Sequence, residues 1–283
     1  MVSTVSDEAL FSRLAEVLKS GKAVALVTIV EKVGSGPRGV GAKMAVTEDG
    51  EVIGTVGGGS FERMVVNEAL KRIREGKPGI VKYSFVGKEV EGAIDTGLIC
   101  GGTVSVFIDI IKPRIKVLVF GAGKIGKPLA HLLDMVGFRV IVADPDPKLV
   151  GREDYPFAEE LIGGGLRDII SKLKNIVSEK DIVLVTHGDP EVDYLAVKEF
   201  LGKSLFVGLL GSRRKVTEFV KRLVNEGIDK ETIVKYLRGP IGLDIGAKTP
   251  EEIALSIVAE LIALIKGVEP KSLNIIPKLI FQK

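Results

Sequence analysis

The chain has 283 residues, more than one small hydrophobic core usually serves, so two domains of about 110 and 150 residues are expected. Hydrophobic residues make up 46% and charged residues 27%, which excludes a mostly disordered chain. With 40 basic and 37 acidic residues the net charge is only +3, which argues against nucleic acid or a membrane surface as the main partner and leaves a small molecule or another protein.

In chain order, Ser6 predicts a helix cap, because Leu10, Phe11, Leu14, Val17 and Leu18 follow at helical spacing until Ser20-Gly21 ends the pattern. Residues 23–30 are nearly all apolar and β-rich, a buried strand that runs into Gly34-Ser35-Gly36-Pro37-Arg38-Gly39. Residues 43–46 and 52–56 flank Glu48-Asp49-Gly50 as a hairpin. Gly57-Gly58-Gly59-Ser60 then opens an amphipathic helix through Val65, Leu70 and Ile73. Strands are predicted at 83–85 and 103–111, separated by a stretch ending in Cys100-Gly101-Gly102. Cys100 is the only cysteine, which excludes an internal disulfide and a multi-cysteine zinc site within one chain.

Lys112-Pro113-Arg114 interrupts the pattern and is the predicted boundary between a domain of residues 1–112 and one of 113–283. Beyond it, short apolar runs alternate with helical stretches, as in βαβ units around a parallel sheet. Lys116-Val117-Leu118-Val119-Phe120 is a buried-strand pattern leading directly into Gly121-Ala122-Gly123-Lys124-Ile125-Gly126 and a helix. In this strand, G-x-G-x-x-G, helix order, Gly121 serves the tight turn, Gly123 the approach of a pyrophosphate, and Gly126 close helix–strand packing. A second strand, 139–143, ends at Asp144, where a carboxylate can bond ribose hydroxyls and favours NAD(H) over its 2′-phosphorylated form. The expected fold class is therefore α/β: a mixed α+β domain followed by a Rossmann-type, doubly wound parallel-sheet domain.

A strand at 181–186 delivers His187 to the carboxyl edge of this sheet, either to carry a proton or to bond neighbouring backbone as an ordinary loop residue. His131, inside the helix after the glycines, reads as structural. Ser212, Arg213, Arg214 and Lys215 open a helix after the strand at 205–210, and three cations beside free amides form a candidate anion site. The loop 239–246 carries Asp244, a candidate for a ribose, pterin or metal contact or for a turn, and Thr249 with Glu252 is spaced as a capping box. No run nears the ~18 apolar residues that span a bilayer and no signal peptide precedes the first helix, so a cytoplasmic protein without membrane insertion is expected. Scarce Cys, Gln and Asn and absent Trp, beside plentiful Lys and Glu, fit a thermophilic source.

Gly34-Ser35-Gly36-Pro37-Arg38, Gly41-Ala42-Lys43-Met44, the glycine triplet before Glu62, Cys100-Gly101-Gly102, Gly211-Ser212-Arg213-Arg214-Lys215 and Pro240-Ile241-Gly242-Leu243-Asp244-Ile245-Gly246 occur in one order over nearly the whole chain. This combination resembles the xanthine dehydrogenase accessory (XdhC/CoxI) family. The resemblance implies a cofactor chaperone that binds molybdenum cofactor (molybdopterin) as cargo and aids its sulfuration and insertion into a molybdenum hydroxylase client. It also implies a possible cysteine desulfurase partner and a homodimer. By the same resemblance Arg38, Lys43, Gly58, Gly59 and Ser60 would contact the cofactor. The family often has cysteine where this chain has Ser60, which leaves Cys100 as the candidate thiol for molybdenum or sulfur work, its alternative being a small buried side chain. The competing readings are an NAD-dependent oxidoreductase, with His187 as proton donor, and an NAD-sensing module. No catalytic triad, metal cluster or acid–base pair stands out in the sequence, which favours the non-catalytic reading.

Overall fold

The computed structural model describes residues 5–87 and 90–281. The chain divides into two compact units, Met1–Arg114 and Ile115–Lys283.

The first unit begins with α1 (Asp7–Lys19), where Ser6 Oγ accepts the Ala9 amide at 3.2 Å and acidic Asp7 and Glu8 occupy the positive end of the helix. Leu10, Leu14 and Val17 are buried, whereas Phe11, expected on the same stripe, is exposed. There follow β1 (Val24–Val33), β2 (Lys43–Thr47), β3 (Val52–Gly54), α2 (Gly59–Glu75), β4 (Gly79–Val86), β5 (Ile94–Asp95) and β6 (Ile99–Ile111). They form one sheet of order β3-β2-β1-β6-β4-β5, antiparallel except for the β4–β5 pair.

Strand alternation divides the apolar residues between two helices. Ala25, Val27 and Ile29 of β1 pack with Phe61, Val65 and Ala69 of α2, while Val24 and Ala45 pack with α1 on the opposite face. Each of the valine, isoleucine and phenylalanine side chains, fully buried, contributes about 1.5–3 kcal/mol, and each alanine methyl less. Gly76 ends α2 in the left-handed region, where the lack of a Cβ makes glycine the natural residue.

The second unit contains β7 (Lys116–Phe120), α3 (Gly126–Met135), β8 (Arg139–Asp144), β9 (Glu160–Gly163), α4 (Leu166–Lys174), β10 (Ile182–Val185), α5 (Pro190–Phe200), β11 (Phe206–Leu209), α6 (Arg213–Asn225), α7 (Lys230–Tyr236), β12 (Leu237–Arg238), α8 (Pro250–Lys266) and α9 (Ile276–Phe281). Its six strands pair in parallel in the order β12-β11-β10-β7-β8-β9. A parallel sheet needs cover on both faces, and the strands alternate accordingly. Leu118, Phe120, Val183 and Val185 face α4, α5 and α6, whereas Val117, Val119, Ile182 and Leu184 face α3 and α8. Strand order reverses between β7 and β10, so the loops after these two strands meet at the carboxyl edge. Both halves of the capping box at Thr249 and Glu252 are formed, which starts α8. Among the described residues no helix is long and apolar enough to cross a membrane.

Candidate functional site

At the switch point of the parallel sheet the three glycines of the fingerprint do different things. Gly121 has φ +113°, and a Cβ there would lie 2.2 Å from the His187 amide nitrogen, so close approach of the two loops requires glycine. A Cβ on Gly126 would lie 1.7 Å from the Gly121 carbonyl oxygen, which ties the start of α3 to the loop. A Cβ on Gly123 would meet no heavy atom within 4 Å. This is the one fingerprint glycine facing open space, beside a helix start that has no side-chain cap.

The loop is held from below by residues distant in sequence. Asp144 Oδ2 accepts the Ala122 amide at 2.7 Å and Oδ1 accepts the Asp146 amide at 2.8 Å. The buried Tyr155 hydroxyl donates to the Ala122 carbonyl at 3.2 Å, and Thr186 Oγ1 donates to the Gly121 carbonyl at 2.9 Å. Asp144 is 1% exposed, so the expectation that its carboxylate reaches out to a ribose is corrected: both oxygens turn inward and hold the glycine loop. Tyr155 and Thr186 escaped the sequence reading, since nothing in the spacing of either points to residues 121–122.

At the ends of β10 and β11, His187 is half-buried and its Nδ1 accepts the Asp189 amide at 3.3 Å, as an ordinary loop histidine would. Asp189 caps α5, and the amides of Val192 and Glu191 hold its carboxyl below the usual range. Ser212 caps α6 by accepting the Lys215 amide at 3.2 Å. Of the three adjacent cations, Arg213 and Arg214 are exposed without partners among the described residues. Lys215 instead turns inward, pairing with fully buried Asp193 and donating to the Leu210 carbonyl at 3.3 Å. The expected three-cation site is thus corrected to two outward arginines, because a buried carboxylate needs a cationic partner. Asp193 also accepts the Gly188 amide at 3.0 Å. The loop bearing Asp244 is pinned to α8 by the Gly242 amide on Glu260 Oε2 at 2.5 Å, and Asp244 itself is exposed.

In the first unit the structure gathers three glycine-rich segments. A Cβ on Gly57 would lie 2.4 Å from Pro37 Cβ, one on Gly34 would lie 2.7 Å from the Gly101 carbonyl oxygen, and one on Gly102 would lie 2.2 Å from the Ser35 carbonyl oxygen. The 34–39 loop therefore lies between the start of α2 and the start of β6. Glu62 organises the 57–59 turn: its Oε2 accepts the amides of Val56 at 3.2 Å and Gly58 at 3.1 Å and the Thr55 hydroxyl. Gly58 at the N-cap supplies no side-chain hydrogen bond, so the first amides of α2 are without a side-chain cap beside Gly59 and Ser60.

Arg38 is half-buried and has no hydrogen-bond or ion-pair partner among the described residues. A cavity of about 300 Å³ opens at the same helix end, lined by Val52, Gly59, Glu62, Arg63, Val66 and Asn67. Lys43 does not join this group. It belongs to the α1 face of the sheet, opposite α2, where its Nζ is 3.7 Å from Asp7 and donates to the Gly41 carbonyl at 3.0 Å. Cys100 lies on β6 directly before Gly101; its side chain is outside the described residues. Among the described residues no three His, Cys, Asp or Glu side chains converge to hold a metal ion.

Parallel strands in the order 3-2-1-4-5-6 with a glycine loop at the switch point define a Rossmann-type domain, preceded here by an α+β unit in which three glycine-rich segments meet. The chain belongs to the XdhC and CoxI family: residues 117–261 match the XdhC Rossmann domain, and residues 17–84 match the XdhC and CoxI family. Escherichia coli YqeB is 32% identical over 255 residues, covering 89% of this chain and 46% of YqeB. A Bacillus subtilis relative, named as a probable subunit of xanthine dehydrogenase, is 33% identical over 167 residues, covering 59% of this chain and 48% of the relative. The chain thus spans about half the length of these two. The Escherichia coli molybdenum cofactor insertion chaperone PaoD is 28% identical over 280 residues, covering 87% of this chain and 84% of PaoD. The fold is shared with a solved Bacillus halodurans xanthine dehydrogenase at a TM-score of 0.50 and 24% identity, over 93% of this chain and 98% of that one.

Proposed function

We propose that this chain is an accessory factor that takes up molybdenum cofactor on its first unit and delivers it to a molybdenum hydroxylase of the xanthine dehydrogenase kind. The observation that carries this reading is the meeting of loop 34–39, which bears Arg38, with turn 57–59 and Gly101–Gly102 at an α2 start without a side-chain cap, Arg38 having no partner among the described residues. Molybdopterin carries a phosphate, and a helix start beside a guanidinium stabilises a dianion. Glycine walls let a flat pterin approach the backbone. The names of PaoD and of the Bacillus subtilis relative support the same cargo and client.

In this reading Gly58, Gly59, Ser60 and Arg38 hold the phosphate end, and Cys100 supplies the thiol that Ser60 does not. Sulfuration of the cargo on the protein would draw sulfur from a cysteine desulfurase. The open face over Gly123, with Arg213 and Arg214 at the same sheet edge, would hold a second phosphate-bearing group.

The test is to purify the chain from a molybdenum-proficient host, denature it, and identify released small molecules by mass spectrometry with metal analysis. A near-stoichiometric molybdopterin species that falls at least about tenfold in Arg38→Ala, a loss of about 1.4 kcal/mol in binding, is the expected result. Absence of any pterin from the wild-type protein, or equal amounts in both, overturns the proposal.

A further inference from the structure

The cavity of about 300 Å³ in the first unit is walled by Val52 of β3 and by residues of α2. Its volume is at the lower end of the range of about 300–1,000 Å³ for small-molecule sites. Because β3 is an outer strand of its sheet, no further strand closes the cavity on that side. The α2 residues that line it, Gly59, Glu62, Arg63, Val66 and Asn67, fall on one face of the helix at steps of three or four. Val52 and Val66 supply apolar walls, and the other three side chains are polar. Glu62 commits Oε2 to Thr55, Val56 and Gly58, which leaves Oε1 without a hydrogen bond among the described residues. The side chains of Arg63 and Asn67 have no partner there either.

This set of groups has a definite ligand chemistry. The one anion and one cation cancel, which suits an uncharged body rather than a phosphate or an acidic peptide. A carboxylate oxygen accepts, a guanidinium donates and stacks on flat faces, and an amide offers a donor and an acceptor side by side. Together with valine walls they match a flat heterocycle whose edge carries an amino group, a ring N–H and a carbonyl. We propose that this cavity holds the amino-oxo ring of the cargo, with Asn67 and Arg63 as its specificity residues, a placement that rests on the delivery reading above. Gly59 links the two ends of such a ligand. It lines the cavity, it opens α2, and a Cβ on it would meet no heavy atom within 4 Å. The ring would occupy the cavity while the phosphate lies at the helix start, and the amino group would donate to Glu62 Oε1.

The test uses free pterin, which has the ring without the phosphate, and lumazine, which replaces the amino group by a carbonyl. The chain has no tryptophan, so the fluorescence anisotropy of either probe is read against a low protein background. Pterin is expected to bind the full chain, and lumazine about tenfold more weakly. Asn67→Leu and Arg63→Met, both at exposed positions, should each weaken pterin about tenfold with unchanged circular dichroism. No binding of pterin, equal binding of pterin and lumazine, or equal binding by wild type and both variants overturns the proposal. So does tighter binding of guanosine monophosphate than of pterin, which would make the cavity a purine site. The delivery reading fails separately. Native cargo that is lost in Arg38→Ala but fully retained in Asn67→Leu and Arg63→Met leaves delivery standing and removes the ring from this cavity.

Discussion

The amide of Ala122 donates to Asp144 across 22 residues of chain at 2.7 Å, and Asp144 is 1% exposed. With the Tyr155 hydroxyl on the Ala122 carbonyl, both backbone polar groups of this one loop residue are held. The loop is thereby fixed by side chains distant in sequence, and the adjacent Gly123 is left bare on the open side.

The fingerprint glycines should separate by substitution. Gly126→Ala puts a methyl 1.7 Å from the Gly121 carbonyl oxygen and should lower the melting temperature by several degrees. Gly123→Ala meets nothing within 4 Å and should melt at or slightly above the wild type while losing any phosphate-bearing ligand of the second unit. Thermal melts paired with analysis of co-purified ligand decide this; an equal loss of stability in both variants would contradict the division of roles.

Asp144→Asn keeps the shape but turns one amide donor toward another. The expected cost is about 1.5–3 kcal/mol, the range for a buried hydrogen bond to a charged group. Urea unfolding of the full chain measures it.

Lys215→Met should be among the most damaging single changes in the second unit, at about 3–5 kcal/mol, because fully buried Asp193 loses its counter-charge. Asp193→Leu/Lys215→Met should recover most of that loss. If the double variant is no more stable than Lys215→Met alone, the pair is not what holds these two helix starts together.

Tyr83 is fully buried with its hydroxyl unpartnered, so Tyr83→Phe should be neutral or stabilising by up to about 1 kcal/mol. Burial pushes the hydroxyls of Tyr83 and Tyr155 up to about 12 from 10.0. The fold therefore favours the neutral form, and that contribution is complete below pH 10 and is lost as pH rises from 10 towards about 12. Stability measured across this interval should fall less steeply in Tyr83→Phe, while a slope identical to the wild type would place the alkaline transition elsewhere.

Much of the second unit was legible before folding because its signals are local. The strand at 116–120, the glycine spacing and the capping box at Thr249 each lie within a few consecutive residues, and each formed as spaced. The same is true of the Ser6 cap on α1. Residue roles were less legible. Asp144 and Lys215 were assigned outward chemistry from their places in motifs, and both turned inward to partners that no local pattern names. Lys43 and Ser60 stood in motifs of one family resemblance, yet strand alternation put Lys43 on the α1 face and Ser60 at the start of α2, on the opposite side of the sheet. Glu62 gave some warning, as an acid in the first turn of a helix opened by three glycines, but its hold on Thr55 and the amides of Val56 and Gly58 depends on how the turn folds back.

By itself the sequence determined the two kinds of unit, the order of their elements and the positions where the backbone comes close to something else, because hydrophobic period and glycine placement act over a few residues. Only the tertiary structure decided which charges face solvent, which glycine is open, and which distant loops share one site. Those outcomes depend on burial: a carboxylate removed from water must take the nearest amide or ammonium that packing brings to it, and that neighbour lies tens of residues away along the chain.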